Sequence, residues 1–131
     1  MDAFIAGKWV ERLRNGGIEQ HQGGLGTDDG ARCCLGVLCD LAVEAGVIPP
    51  ATGLDEGDYI VRAFRFDGEA ATLPERVKWW AGMKSRKGGY DRKYNRFLSK
   101  DNDGCTSPGH DHPAHSFAQI ADIIEANVEN L

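Results

Sequence analysis

Basic and aromatic residues are interleaved between Arg76 and Lys100, and this stretch is the clearest candidate for chemistry. It holds nine basic residues against one acid, Asp91, a local balance of +8. The whole chain has a net charge of −5, so the rest of it carries −13. Such a split predicts a polarised molecule with one face that attracts anions.

Aromatic faces beside arginine and lysine suit the bases and phosphates of nucleotides, through stacking and charge-assisted hydrogen bonds. Trp79 and Trp80 are consecutive on a predicted helix and point about 100° apart, so we expect one of them to line a pocket, groove or subunit contact. The alternative is a solvated charged face with its aromatic side chains packed inward. The predicted ligand-binding residues are Trp79, Trp80, Lys84, Arg86, Lys87, Tyr90, Arg92, Lys93, Tyr94 and Arg96.

A nucleotide-like small anion fits this stretch better than a long nucleic acid, because the negative remainder of the chain repels an extended polyanion. An acidic protein is the rival partner. Binding without turnover is expected, because no Ser-His-Asp or Cys-His arrangement is evident and Gly23–Gly26 lacks the Lys-Ser/Thr ending of a phosphate loop. A homo-oligomer is expected if one tryptophan lies at an interface.

One thiol and three imidazoles lie within the eleven residues from Cys105 to His115. These are ligand types of a tetrahedral zinc site, so zinc is the one cofactor that the sequence suggests. Their spacing matches no zinc finger, and the alternative is an exposed insertion whose glycine and prolines tolerate irregular backbone. A metal-dependent hydrolase that uses this loop is a further functional alternative. The candidate ligands are Cys105, His110, His112 and His115.

The other three cysteines, Cys33, Cys34 and Cys39, lie in an apolar segment that ends at Ala42. Adjacent thiols suggest redox or nucleophilic chemistry, but no nearby histidine or basic cluster lowers their pKa values. Thiols among aliphatic residues are more often small buried hydrophobic groups. The segment therefore predicts a central buried helix, with no structural disulfide.

The apolar periodicity predicts an α+β fold in a single domain over residues 1–131, with about four helices on a small antiparallel sheet. Capping and breaker residues set the ends of the helices. The predicted helices run from Asp2 to about Arg14, from Cys34 to Gly46, over Pro74–Ala81, over Tyr90–Leu98 and from Ser116 to the C-terminus. The predicted strands are Ile18–Gln22, Leu25–Thr27, Ala31–Cys33 and Tyr59–Phe66, and Asp101–Gly104 is predicted as a turn.

Four stretches together resemble a family of small uncharacterised proteins from tailed-phage genomes and some bacterial ones. The most specific of them is Cys33–Ala42, and the others are Trp9–Gly16, Leu73–Gly82 and Ser116–Glu125. Gly104–His115 looks inserted relative to that family. The resemblance implies a phage accessory gene, of the host-takeover or counter-defence kind.

No apolar run approaches the 18–20 residues or so that a bilayer span needs, and the N-terminus lacks a basic-then-apolar signal region. A cytoplasmic protein is therefore expected, in the host cytosol if the gene is phage-encoded. No membrane partner is predicted.

Overall fold

The computed structural model describes residues 1–52, 64–108 and 110–131, and at residues 106, 107 and 110 it describes the backbone. It confirms the α+β fold in one compact domain, with five helices and two short antiparallel hairpins within these residues. The elements are α1 (Ala3–Asn15), α2 (Cys34–Glu44), α3 (Glu75–Trp80), β1 (Gly89–Asp91), β2 (Arg96–Phe97), α4 (Leu98–Asp103), β3 (Cys105–Ser107), β4 (His110–His112) and α5 (Phe117–Ala126).

Helix α2 lies at the centre of the fold, as its apolar sequence predicts. Eight of its eleven residues are buried. Helix α1 packs against both α2 and α5. Between α1 and α2, the buried Trp9 donates from Nε1 to the carbonyl oxygen of Cys34 at 2.9 Å. A helix that is apolar over most of its circumference becomes the layer on which the other helices pack.

The cysteines of this central segment are packing groups. Burial raises the pKa of Cys33 to about 11 and raises the pKa values of Cys34 and Cys39 well above the ordinary thiol value. Since the thiolate is the reactive form, burial disfavours reaction at these side chains. The prediction of buried packing is confirmed, and the redox or nucleophilic alternative stays a prediction that these surroundings disfavour.

Gly36 on α2 has no room for a side chain. A Cβ at this position would overlap the carbonyl oxygen of Leu25, which already accepts a hydrogen bond from Cys33 N at 3.1 Å. Gly36→Ala is therefore expected to lower the free energy of unfolding by about 2–3 kcal/mol. Gly7→Ala, in open space on α1, is the control and is expected to raise it by about 0.5–1 kcal/mol. Urea unfolding measures both, and a Gly36→Ala variant as stable as the wild type would contradict the expected clash.

The three strands predicted between Ile18 and Cys33 are wrong. This segment is a loop with isolated bridges from Arg32 to Gln20 and Gly26. The Arg32 guanidinium donates to the carbonyl oxygens of Thr27 and Ala31 at 3.0 and 2.9 Å. Both carbonyl oxygens also accept from backbone N–H groups within the same turn, Ala31 O from Thr27 N and Thr27 O from Gly30 N, so the segment is held by local turn contacts and not by a strand ladder.

The strand predicted over Tyr59–Phe66 lies largely outside the described residues. Its last two residues form isolated bridges, Arg65 with Thr52 and Phe66 with Glu69.

The helix predicted over Tyr90–Leu98 is also wrong, because this segment contains the β1–β2 hairpin. Asn95 has a φ of 53°, in the left-handed region that an α-helix excludes. The Asp91 side chain accepts a hydrogen bond from Tyr94 N at 3.2 Å, a local turn that competes with helix formation. The turn predicted at Asp101–Gly104 is instead the end of α4, which Gly104 terminates with a φ of 72°.

The remaining helix predictions are confirmed except at the C-terminus, where α5 ends at Ala126 and a turn follows instead of the predicted helix. Asp2 caps α1 by accepting from Ile5 N at 2.9 Å, and Ser116 and Gln119 form the predicted capping box of α5. The predicted insertion at Gly104–His115 forms the β3–β4 hairpin. Among the described residues, no helix has the length and apolar character needed to cross a bilayer.

Candidate anion-binding cleft

A cleft of about 1080 Å³ lies between the β1–β2 hairpin and the last residues of the chain. Most of its lining comes from the basic and aromatic stretch that the sequence singles out. The lining residues are Lys84, Ser85, Gly89, Tyr90, Asp91, Arg92, Tyr94, Asn95, Arg96, Phe97, Asn127 and Asn130.

The hairpin forms because its flanking residues satisfy the backbone locally. Gly89 N donates to Ser85 Oγ at 2.7 Å, and Leu98 N donates to Gly88 O at 2.9 Å. Gly88 has a φ of 70°, and a Cβ there would lie 3.0 Å from the buried Leu98 side chain. Glycine is therefore required where the chain enters the hairpin.

The opposite wall of the cleft is the turn that follows α5. Asn127 donates from Nδ2 to Ile123 O at 2.8 Å and accepts at Oδ1 from Asn130 Nδ2 at 3.1 Å. The carbonyl oxygen of the fully buried Leu131 accepts from Lys84 N at 2.6 Å. This contact fixes the C-terminal turn beside the start of the basic stretch, so both walls are anchored.

Half of the predicted ligand-binding residues line this cleft. These five are Lys84, Tyr90, Arg92, Tyr94 and Arg96. The other five lie outside its lining, and they include both tryptophans, one of which was expected to line a pocket. Those five are Trp79, Trp80, Arg86, Lys87 and Lys93.

The residues outside the cleft have different surroundings. Trp79 is 74% exposed, whereas Trp80 is partly buried against the core. The Arg86 guanidinium forms ion pairs with Glu69 and Glu75 and donates to the carbonyl oxygen of Leu73. Arg86 therefore stabilises the fold around α3, and its charge is already compensated.

The sequence analysis missed two lining residues at the C-terminus, Asn127 and Asn130. Their three-residue spacing places both amides on one side of the last turn, but the sequence alone does not show what that side faces. Phe97 also lines the cleft, from the hairpin that replaces the predicted helix.

A buried carboxylate lies behind the cleft. The Tyr90 hydroxyl donates to Asp101 Oδ2 at 2.6 Å, and Asp101 is 7% exposed. Burial, followed by this hydrogen bond, raises the pKa of Tyr90 to about 12. Hydrogen bonding with Tyr90 also raises the pKa of Arg96. Tyr90 is therefore a neutral phenol at physiological pH, and Arg96 beside it is a cation.

The predicted zinc ligands are divided between two surroundings. The β3–β4 register pairs Cys105 with His112, and both line a shallow depression of about 450 Å³. His115 instead faces α4, where its Nδ1 lies 3.9 Å from Asp101 Oδ1. For the predicted ligand His110 only the backbone is described, paired with Ser107.

Among the described residues, no three His, Cys, Asp or Glu side chains are placed to hold a metal ion. The zinc site and the hydrolase that would use His110, His112 and His115 remain predictions. Metal analysis of the protein purified without a histidine tag tests them, and the absence of stoichiometric metal would contradict both.

Together these features define an α+β protein with a cleft that combines cationic and aromatic side chains. The chain belongs to the family described as Domain of unknown function (DUF8296), whose model matches residues 1–128. No curated protein and no solved structure matches the chain. The resemblance to tailed-phage proteins remains a prediction.

Proposed function

We propose that this protein binds a compact, nucleotide-like anion in the cleft and does not turn it over. The observation that carries the proposal is that the described lining of one cavity contains three cations and three aromatic rings, with a single acid, Asp91. Stacking on aromatic rings is tolerant of base identity, and charge-assisted hydrogen bonds hold phosphates. The cations are Lys84, Arg92 and Arg96, and the rings are those of Tyr90, Tyr94 and Phe97.

The availability of these charges supports the proposal. Arg92 and Arg96 are exposed, and neither forms an ion pair with any residue that the structure describes. Lys84 is partly engaged, because its Nζ donates to the carbonyl oxygen of Glu129. The two arginines therefore supply most of the positive charge open to a ligand, and a guanidinium can hold a phosphate through two parallel hydrogen bonds.

The size of the cleft also favours a small ligand. Its volume of about 1080 Å³ is just above the range of about 300–1,000 Å³ that is typical of small-molecule sites. An extended nucleic acid would continue past the cleft onto the rest of the chain, which carries −13. In the phage-type accessory role, of the host-takeover or counter-defence kind, the ligand would be a nucleotide immune signal of the host.

A panel of anions tests the proposal. Inorganic phosphate, nucleoside monophosphates and cyclic oligonucleotides are each added to the full chain, and melting temperature and calorimetric affinity are measured. We expect saturable binding of at least one nucleotide, with the same nucleotide recovered unchanged by chromatography after incubation. The absence of binding across the panel, or recovery of a product, would contradict the proposal.

An acidic host protein is the second candidate, and exposed Trp79 favours it. The Trp79 ring is 74% exposed and lies outside the cleft, with Lys78 Nζ 5.1 Å from its centroid. Tryptophan beside a cation is a frequent anchor in protein interfaces. A polyglutamate peptide is the probe: saturable binding at low salt that Trp79→Ala abolishes would favour this candidate.

Light scattering tests the homo-oligomer that is expected if a tryptophan lies at an interface.

A further inference from the structure

The Tyr90 hydroxyl donates its proton to a residue that lies behind the cleft. Tyr90 lines the cleft from β1, but its hydroxyl donates to Asp101 Oδ2 on α4, at 2.6 Å. A phenol has a single proton, so this bond leaves only lone pairs on the Tyr90 oxygen, and the Arg96 guanidinium also hydrogen-bonds to that oxygen. Tyr90 can therefore accept hydrogen bonds from a ligand but has no proton to donate to one.

The acceptor on α4 is held firmly in place. The Asp101 backbone oxygen accepts from His115 N at 2.7 Å, and the neighbouring Asn102 is fully buried and accepts from Cys34 N of α2 at 3.1 Å. A short hydrogen bond to a buried carboxylate is stronger than one between neutral groups. The direction of the Tyr90 hydroxyl is thus set by the core of the protein.

The nearest cation to this oxygen is Arg96. The hairpin register places Arg96 opposite Asp91, the residue after Tyr90, and both Tyr90 and Arg96 line the cleft. Because Arg96 hydrogen-bonds to Tyr90, an anion bound by Arg96 lies beside an oxygen that only accepts hydrogen bonds. Phosphate oxygens are acceptors too, so a bare phosphate finds no hydrogen bond at Tyr90, whereas a ligand with a hydroxyl beside its phosphate does.

We infer that the Asp101–Tyr90 pair makes the cleft select phosphate esters that carry a free hydroxyl on the carbon next to the ester. The hydroxyl donates to Tyr90 while the phosphate binds Arg96, and Asp101 is a positioning residue that contacts no ligand. A ribonucleoside 3′-phosphate is the simplest nucleotide of this class, because its 2′-hydroxyl is adjacent to the phosphate. This inference rests on the proposed anion binding in the same cleft.

Two ligands that differ by one hydroxyl test the inference. Calorimetry on the full chain compares adenosine 3′-monophosphate with 2′-deoxyadenosine 3′-monophosphate. We expect the ribonucleotide to bind about three- to tenfold more tightly, the effect of one hydrogen bond. Tyr90→Phe is expected to reduce this ratio to about one, by weakening the ribonucleotide. Trp79→Phe, at an exposed residue outside the cleft lining, is the control and keeps the wild-type ratio.

Asp101→Asn tests the positioning role. The carboxamide can donate to the phenol oxygen and so release the Tyr90 proton toward the cleft, and we expect the ratio of the two affinities to fall. A general loosening of the fold would weaken both ligands alike and leave their ratio unchanged. The ratio of the two affinities therefore distinguishes a positioning role of Asp101 from a purely structural one.

Each contrary result has a distinct meaning. A ratio near one in the wild type, with both ligands bound, would overturn the inference and leave the proposed anion binding intact. An unchanged ratio in Tyr90→Phe would overturn it as well, and an unchanged ratio in a folded Asp101→Asn would overturn the role of Asp101. If neither nucleotide binds while another anion does, the selection is wrong; if nothing binds, the proposed function fails with it.

Discussion

Asn102→Ala is expected to lower the free energy of unfolding by about 3–5 kcal/mol, a large part of the 5–15 kcal/mol or so of a typical domain. Asn102 is fully buried, and its Oδ1 accepts from Gln20 Nε2 and Cys34 N at 3.0 and 3.1 Å. Its Nδ2 donates to His21 O at 2.8 Å. Alanine removes these bonds and leaves the buried Cys34 N and the partly buried His21 O without this partner, which costs about 1–3 kcal/mol for each group, while Gln20 Nε2 keeps its bond to His115 O.

Urea unfolding monitored by circular dichroism measures the loss, with Asn15→Ala as the matched control. Asn15 is exposed and its side chain donates only to Glu11, at 3.0 Å, so the control is expected to change stability by less than about 0.5 kcal/mol. If the two substitutions cost the same, the buried amide does not stabilise the fold in the way its contacts indicate.

The long helices could be predicted from the sequence because each satisfies local rules. Asp2 and Ser116 are capping residues at the starts of α1 and α5, and the apolar residues that follow recur with the helical period. The central helix follows from its nearly continuous apolar sequence. These signals lie within the helical segments themselves, so tertiary contacts change the predicted helices little.

The cleft could be predicted only in part, because its shape depends on contacts between distant residues. Tyr90, Tyr94 and Phe97 have a spacing that fits one face of a helix, yet the left-handed Asn95 and the positive-φ Gly88 place them on a hairpin. The C-terminal wall lies there because Leu131 O accepts from Lys84 N, a contact across more than forty residues. Composition identifies the charges, and tertiary contacts decide which of them face a ligand.

Arg86 and Asn102 illustrate the same limit. In sequence Arg86 is one more cation of a basic loop, but in the fold it pairs with Glu69 and Glu75 and its charge is compensated. Asn102 lies in an Asp-Asn-Asp-Gly string that is typical of a turn, and the fold buries it. Whether a polar side chain supports the core or faces a ligand is determined by its partners, which the sequence does not list.

Reversing both cleft arginines, Arg92→Glu with Arg96→Glu, is expected to weaken binding of adenosine 3′-monophosphate by at least about a hundredfold. Each substitution removes a charge-assisted hydrogen bond of about 1.5–3 kcal/mol and adds repulsion between carboxylate and phosphate. Both side chains are exposed, so the fold is expected to tolerate the change with a nearly unaltered melting temperature. Isothermal titration calorimetry at low and high salt measures the loss, because binding carried by exposed charges weakens as salt rises.

The control is a second double reversal, Lys8→Glu with Arg76→Glu, which changes the net charge by the same amount. Both residues are exposed and lie outside the lining of the cleft. We expect this variant to bind the nucleotide within about threefold of the wild type, because exposed charges that do not contact the ligand are weakened by salt screening. Equal losses in the two variants would mean that overall charge governs binding, and would contradict a site in the cleft. A large loss confined to Arg92 and Arg96 is the result that only a local anion site explains.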